Sequence, residues 1–277
     1  MSALLLSIDL EDVRDWVKDG YSYREAVPEN TKKYLSLFRK LNVHATFFIV
    51  GRVARRYPEL IREIAEEGHE LACHGDMHLQ LDKLTPESFR ADLLKNIHSL
   101  NEATGSTLSI HGFRAPTFSL TSRTAWAHEI LADLGFTYSS SVLPAQSPLY
   151  GWPEFGEKVR QVKERIWELP ITLHSISGLR VPVAGGVYFR VLPFALTKWA
   201  VRQKIKKNEP VGSYLHPYDI DTEQERFMHP DLNDKQHLNM LMYLGRAKVL
   251  KRLTVLSKSF SFQPYESYVK QLPSVLP

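Results

Sequence analysis

One segment, Gly68-His-Glu-Leu-Ala-Cys-His-Gly-Asp-Met-His78, decides how the rest of this sequence is interpreted. It holds three of the eleven histidines in the chain. His74 and His78 are four positions apart, so a helical turn between them would place both imidazoles on one side, facing a single metal ion. Such an ion commonly takes a carboxylate as its third protein ligand. The segment therefore predicts a metal site and directs the search to acidic residues.

Three candidate carboxylates follow the first predicted strand. The run Leu4-Leu-Leu-Ser-Ile8 is typical of a short buried strand, and Asp9, Glu11 and Asp12 come at its carboxyl end. In parallel α/β folds, active sites assemble at that end of the strands. Three neighbouring carboxylates repel each other unless a positive group lies among them. The cluster is therefore the candidate source of the third ligand.

Strands and helices alternate through the first part of the chain. We predict a helix over residues 30–41, a strand at His44–Val50, a helix over 58–67 and a strand at His69–Ala72. This alternation favours a parallel sheet with right-handed crossovers, which brings the ends of the first and third strands to the same edge. A chain of 277 residues with 43% hydrophobic content is routinely one domain in an α/β barrel.

The second part of the chain gives weaker patterns. Residues 152–190 are rich in loops, and Trp152 and Tyr188 are available there to stack on sugar rings. Further elements are predicted as a helix that starts at Thr85, a helix over 121–134, a strand over 136–141, and helices over 193–206 and 240–256.

Composition and charge exclude several classes of protein. A net charge of +4, from 35 basic and 31 acidic residues, indicates no nucleic-acid partner. The single cysteine, Cys73, fits a reducing compartment. The apolar start before Asp9 is too short for a signal peptide and no run reaches membrane-spanning length, so we expect a cytoplasmic protein. The basic run Arg202–Lys207 is compatible with peripheral contact to an anionic inner leaflet, although a solvated helix end is the commoner role.

Five motifs in order resemble those of the polysaccharide deacetylase family, the NodB-homology group of carbohydrate esterases. They are the acidic strand end at 9–12, Ala45-Thr-Phe-Phe48, the segment 68–78, Phe113-Arg-Ala-Pro116 and Leu215-His-Pro217. Further cues are similar to the bacterial branch linked to exopolysaccharide and O-antigen clusters, namely Glu168-Leu-Pro170, Pro182–Arg190 and Tyr214–Asp219. The resemblance implies a single domain over 1–277, with core motifs at 4–220 and an extension at 221–277. Its fold would be an irregular, incompletely closed (β/α)7-type barrel.

The resemblance also implies a role for each motif residue. Asp9 would be the catalytic base, Arg114 would pair with it, and His216 would protonate the leaving nitrogen. The metal would be held by His74, His78 and either Glu11 or Asp12, which the sequence leaves open. Strand alternation places Asp9 and Glu11 on one face, but the strand can end before Glu11. For the substrate groove, the resemblance implies Pro116 and Leu215.

One position departs from the family pattern. The branch has aspartate where this chain has Ser139, within Tyr138-Ser-Ser-Ser141. Because serine supplies no charge, His216 either has another acidic partner, for which Asp219 is a candidate, or is a weaker acid, which would lower the deacetylase efficiency.

The expected function is metal-dependent removal of an N-acyl group, in the first place N-acetyl, from a nucleotide- or lipid-linked sugar of surface-polysaccharide or O-antigen biosynthesis. The cofactor would be one divalent ion, zinc first, with cobalt, nickel and iron also suited to these ligands. Two alternatives stay open. One is an allantoinase- or imidase-like hydrolase of cyclic amides on the same fold, and the other is a carbohydrate-binding protein with a degenerate site.

Overall fold

The computed structural model describes residues 3–147, 149–163, 166–176, 179–228, 230 and 235–273. Within these residues the helices are α1 Val27–Leu41, α2 Gly51–Arg56, α3 Pro58–Glu66, α4 Pro86–Thr104, α5 Ala127–Asp133, α6 Gly186–Val191, α7 Phe194–Lys206, α8 Gln236–Leu241, α9 Val249–Ser257 and α10 Tyr265–Val269. The strands are β1 Leu4–Leu5, β2 Ser7–Leu10, β3 Thr46–Ile49, β4 Glu70–Cys73, β5 Gly112–Phe113, β6 Tyr138–Ser139, β7 Arg160–Lys163, β8 Ile166–Glu168, β9 Leu173–Ile176, β10 Leu179–Pro182, β11 Val211–Gly212 and β12 Phe262–Gln263. None of the described helices is both long enough and apolar enough to cross a membrane.

The main sheet has the strand order β2-β3-β4-β5-β6-β8-β7 and is parallel except for the last pair. At its first edge, the Asp9 N–H donates to the Leu215 carbonyl over 2.7 Å, so the chain after β11 continues the sheet. At the other edge, the described pairings leave β7 bonded to β8 alone. The described strand pairings do not close the sheet, which confirms the predicted incompletely closed α/β barrel in one domain.

Burial explains why these segments form strands and helices. Every residue of β2 and β3 is buried, as expected for parallel strands that helices cover. The helix predicted over 58–67 is α3, and its apolar face buries Leu60, Ile61 and Ile64. The predicted helix start at Thr85 is confirmed by a capping box, in which the Thr85 hydroxyl accepts the Ser88 N–H.

Two predicted elements are divided in the structure. The first apolar run forms two strands in different sheets, so Asp9 lies inside β2 instead of after it. The helix predicted over 240–256 is broken between α8 and α9, where Gly245 adopts a φ of +76°. A left-handed residue cannot continue a right-handed helix, and glycine adopts this conformation at little cost.

A partly buried carboxyl group, that of Glu70, lies at the amino end of the barrel. Glu70 accepts hydrogen bonds from the Thr46 hydroxyl at 2.5 Å, the Tyr138 hydroxyl at 2.5 Å and the Glu266 N–H at 3.0 Å. Burial outweighs these donors and raises the pKa of Glu70 from 4.5 to about 7. The folded protein therefore keeps a proton on Glu70 that the unfolded chain releases near pH 4.5.

We expect this proton to make stability depend on pH. As the pH rises from about 4.5 to about 7, the free energy of unfolding should fall by up to roughly 3 kcal/mol because of Glu70. Glu70→Gln should flatten the curve over this interval, as measured by urea unfolding at several pH values. Glu66→Gln, at an exposed position on α3, is the matched control and should leave the wild-type dependence in place. Parallel curves for wild type and Glu70→Gln would contradict the assignment.

Candidate active site

Several polar residues meet in a cleft of about 640 Å³ at the carboxyl ends of the strands. Asp9 comes from β2, and His74 follows β4 directly. The cleft contains the predicted metal and acid-base residues Asp9, Glu11, His74, His78 and His216. The sheet order explains this meeting, because β2, β3 and β4 are adjacent and the chain after β11 lies beside β2.

The two histidines converge from a loop and not from a helical turn, so that part of the prediction is wrong. Gly75 and His78 both have left-handed backbone conformations, with φ of +74° and +57°. The loop nevertheless brings the His74 and His78 rings to a centroid distance of 5.0 Å. Positive φ at a non-glycine residue costs about 1–3 kcal/mol and persists where the surroundings impose it. The chain therefore forms a loop here and not a helical turn, because neighbouring segments hold the backbone in this conformation.

Side chains of α4 hold that loop. Asn96 is fully buried and donates its amide to the carbonyls of Ile49, at 2.8 Å, and Gly75, at 2.5 Å. Asp92, one turn earlier, accepts the Asp76 N–H over 2.7 Å. These contacts fix the peptide groups between the two histidines, and sequence analysis did not identify either residue.

Glu11 joins the two histidines as a candidate metal-binding group. One donor atom from each of Glu11, His74 and His78 lies within 4.8 Å of the others. The Glu11 carboxylate contacts His78 Nε2 directly. His74 Nδ1 donates to the Arg114 carbonyl over 2.8 Å, which leaves Nε2 of His74 free to bind an ion. Two imidazoles and one carboxylate are a donor set that suits zinc and other divalent transition metals.

The charge states of this group also suit a metal. Burial lowers the pKa of His74 to about 4, so the ring is neutral near pH 7 and can act as a ligand. Burial alone would raise the pKa of Glu11, but the nearby histidines, His78 foremost, lower it well below its ordinary range. An ionised carboxylate and a neutral imidazole are the ligating forms.

Asp12, the other candidate ligand, points away from the cleft. Its side chain accepts the Arg14 N–H at 3.0 Å, which caps a 3₁₀ turn at Val13–Asp15, and pairs with Arg56 of α2 at 2.8 Å. These contacts occupy both carboxylate oxygens. Of the two carboxylates that the sequence left open, the structure therefore brings Glu11 to the histidines and not Asp12.

Asp9 and Arg114 form a buried ion pair beside this group. Arg114 is completely buried, and its Nη1 lies 2.5 Å from Asp9 Oδ1 and 2.8 Å from the Ser7 hydroxyl. The guanidinium also lies over the Phe48 ring, 4.0 Å from its centroid. A cation held on several sides fixes the orientation of the carboxylate that faces it. The second oxygen of Asp9 stays directed towards the cleft, where His216 Nε2 is 4.0 Å away.

His216 contacts an acidic partner three residues further along the chain, and this contact favours the protonated imidazole. Its Nδ1 lies 2.9 Å from Asp219 Oδ2, and Nε2 faces the cleft, 3.9 Å from Glu11 Oε1. Burial alone would lower the pKa of His216, but the bond to Asp219 and nearby carboxylates raise it to about 9. Ser139, which replaces the family aspartate, donates instead to the Ser141 hydroxyl at 2.8 Å. Asp219 is therefore the acidic partner that Ser139 cannot provide.

Four residues predicted for the substrate groove, all of them described, lie off the cleft wall. Leu215 is fully buried in the main core, because its side chain points from the sheet to the side opposite its neighbours Tyr214 and His216. Pro116 is buried beside Gly75. Trp152 packs against Phe155, with ring centroids 5.0 Å apart, and half-exposed Tyr188 lies on α6.

Other side chains form the wall of the cleft. Met77 and Leu79 flank His78 and are about 40% exposed, and Tyr214 and Tyr218 flank His216 on either side. Their positions next to motif histidines were a usable signal that sequence analysis missed. The more distant wall residues carry no such signal, and they include Trp16, Arg52, Lys83, Phe118, Leu143, Leu149 and Tyr150.

Two family models cover most of the chain. Residues 17–139 match the polysaccharide deacetylase model, and residues 140–270 match a domain of unknown function, DUF3473. The main sheet runs through both regions, because β6 of the first pairs with β8 of the second. His216 and Asp219 fall in the second region, whereas His74, His78 and Arg114 fall in the first.

Two curated relatives and one solved structure extend this result. Peptidoglycan-N-acetylglucosamine deacetylase of Bacillus cereus is 35% identical over 77 residues, which are 28% of each chain. Peptidoglycan deacetylase of Helicobacter pylori is 29% identical over 194 residues, 68% of this chain and 61% of the relative. This chain thus spans less than two thirds of the length of either relative.

The fold is similar to that of the crystal structure named putative polysaccharide deacetylase from Mycobacterium smegmatis. The TM-score is 0.61 at 20% identity, and the match covers 100% of this chain and 95% of the other. Motif order, the family model over 17–139 and this fold agree with one another. Residues 17–139 of this chain belong to the polysaccharide deacetylase family.

Proposed function

We propose that this protein is a metal-dependent hydrolase that removes an N-acyl group, in the first place N-acetyl, from a sugar in surface-polysaccharide or O-antigen biosynthesis. One observation carries the proposal. The three candidate metal ligands, a candidate base and a candidate acid face the same cleft, and His216 Nε2 lies 4.0 Å from Asp9 Oδ2 and 3.9 Å from Glu11 Oε1. Amide hydrolysis needs these three functions together.

Glu11, His74 and His78 would hold the ion, with zinc the first candidate and cobalt, nickel and iron also suited to the ligands. A divalent ion in such a site supplies Lewis acidity, which activates water and polarises the acyl oxygen. The chain contributes ligands already oriented by the Arg114 carbonyl and by the loop contacts of Asn96.

The remaining steps fall to the chain's own side chains. Asp9, oriented by Arg114, would accept a proton from the attacking water. His216, whose pKa of about 9 keeps it protonated at neutral pH, would donate a proton to the departing amine. Asp9 Oδ2 and His216 Nε2 lie 4.0 Å apart, so both side chains can act on the same amide bond of a substrate.

The wall of the cleft supports a sugar linked to a larger group. Its aromatic side chains, such as Trp16 and Tyr150, suit stacking on pyranose rings, and apolar Leu149 is 47% exposed. Lys83 adds positive charge at the same cleft, where Arg52 also lies in an ion pair with Asp15, and a cation there suits the phosphate of a nucleotide- or lipid-linked sugar. We propose that the protein is cytoplasmic, because nucleotide- and lipid-linked sugars are made or presented on that side of the membrane.

The test is an assay of purified protein, prepared with zinc, against three sets of compounds. We expect acetate or formate release from nucleotide- and lipid-linked N-acyl sugars, and loss of that activity with a chelator. Ring opening of hydantoins or cyclic imides, without release from any N-acyl sugar, would replace the proposal by a cyclic amide hydrolase. Sugar binding without any hydrolysis would indicate a carbohydrate-binding protein.

A further inference from the structure

Arg190 connects His216 to a distant part of the chain. It lies on α6 with only 1% of its surface exposed, and its Nε is 2.8 Å from Asp219 Oδ1 in an ion pair. Its Nη1 donates to the carbonyls of Met242, at 2.6 Å, and Leu244, at 3.2 Å. The guanidinium is thus anchored on the segment between α8 and α9 while it contacts Asp219.

Asp219 is held from both of its oxygens. Oδ1 faces Arg190, and Oδ2 accepts from His216 twice, from the backbone N–H and from Nδ1, each at 2.9 Å. The carboxyl group is fully buried, so an ionised Asp219 without a cation beside it would be strongly disfavoured. Besides the imidazole of His216 itself, Arg190 is the cationic side chain that contacts Asp219, and it fixes the carboxylate from the side opposite the imidazole.

We propose that Arg190 is a positioning residue for catalysis, which acts through Asp219 to orient His216 with Nε2 directed into the cleft. The proposal rests on the proposed function in one respect, that His216 protonates the departing amine. Arg190 neither lines the cleft nor belongs to the candidate metal ligands, and its ion pair with Asp219 is its link to the acid histidine.

Other groups around His216 do not replace Arg190. Tyr34 of α1 donates its hydroxyl to the His216 carbonyl at 3.2 Å, which holds the backbone and not the ring. The Tyr218 ring stacks on the imidazole at 4.5 Å without bonding to either nitrogen. Arg246, also buried, bonds to the Asp221 carbonyl at 2.9 Å instead of the Asp219 carboxylate. Among the described residues other than His216, Arg190 is the cationic side chain that forms an ion pair with Asp219.

The test compares two substrates that differ in their need for an acid. An N-acetyl sugar has a poor amine leaving group that needs a proton, whereas 4-nitrophenyl acetate releases a stable anion without one. Arg190→Gln should lower kcat on the amide on the order of 10²-fold and leave ester hydrolysis close to wild type. Arg252→Gln is the matched control, since buried Arg252 bonds to the Phe189 carbonyl and should lose neither activity.

Asp219→Asn gives a second variant of nearly unchanged size should Arg190→Gln fail to fold, and it should show the same amide-selective loss. A third measurement needs no substrate: the proton resonance of His216 Nδ1–H, assigned by its loss in His216→Ala, should shift or vanish in both variants and persist in Arg252→Gln. Equal losses on amide and ester, no loss on either, or an unchanged resonance would overturn the proposal. A wild-type protein that cleaves the ester but no sugar amide would instead refute the proposed function, and the resonance would still decide the role of Arg190.

Discussion

His74→Ala is expected to remove the metal ion and with it all amide hydrolysis. His74 is 2% exposed and offers Nε2 to the ion, because Nδ1 is committed to the Arg114 carbonyl. Alanine leaves two of the three donors that the described residues provide here. Even a residue that only orients a metal ligand is worth about 10–100-fold in affinity, so the loss of a ligand should exceed about 100-fold. The measurement is the metal content per protein after dialysis against a defined free zinc concentration, together with acetate release.

His98→Ala is the matched control for this variant. His98 is exposed on α4 and lies outside the cleft, so its removal should change neither metal content nor activity. A crystal structure with anomalous scattering should show the ion between Glu11, His74 and His78. Retention of metal and activity by His74→Ala, or an ion bound to other residues, would contradict the assigned site.

Asp9→Asn should lower kcat by about 10²- to 10⁴-fold and leave the metal content unchanged. The amide cannot accept the proton of the attacking water, whereas Glu11, His74 and His78 keep their positions. Asparagine still offers an oxygen to Arg114, so we expect a smaller cost than the roughly 3–5 kcal/mol that follows deletion of one partner of a buried ion pair. Thermal unfolding and metal analysis of the same preparation separate these effects.

Asp12→Asn is the control for the role of Asp9. The Asp12 carboxylate contacts Arg56 and the Arg14 N–H outside the cleft, so this variant should stay close to wild type in both kcat and metal content. Loss of metal from Asp12→Asn but not from Glu11→Gln would show that the carboxylate ligand had been assigned to the wrong residue.

The loop that carries His74 and His78 shows most clearly what the sequence could predict and what it could not. The spacing of His74 and His78 indicated a shared ion, and their rings do converge, but through a loop with positive φ at His78 instead of a helical turn. The convergence depends on Asn96 and Asp92, which reach the loop from a helix later in the chain. A local pattern cannot show such contacts, because they join residues about 16–21 positions apart.

The choice between Glu11 and Asp12 shows the same limit. The alternation of side chains along a strand puts Asp9 and Glu11 on one face. However, β2 ends at Leu10, and alternation does not predict the direction of side chains beyond the end of a strand. The direction of Asp12 is set by Arg56, which α2 places beside the strand end. The predicted domain boundaries, with a core at 4–220 and an extension at 221–277, stay a prediction.

The sequence by itself determined the barrel and the edge at which its polar residues gather. Apolar runs of strand length, alternating with amphipathic helices, allow few parallel arrangements, and acidic and histidine motifs that follow strands must then meet at one end. Only the tertiary structure decided which side chains face each other there. It turned Asp12 outwards, placed Leu215 in the core, and gave His216 the pair of Asp219 and Arg190 in place of the missing aspartate at Ser139. The reason is physical: strand order follows from local periodicity, whereas the direction of a side chain beyond a strand end follows from caps and ion pairs with residues far along the chain.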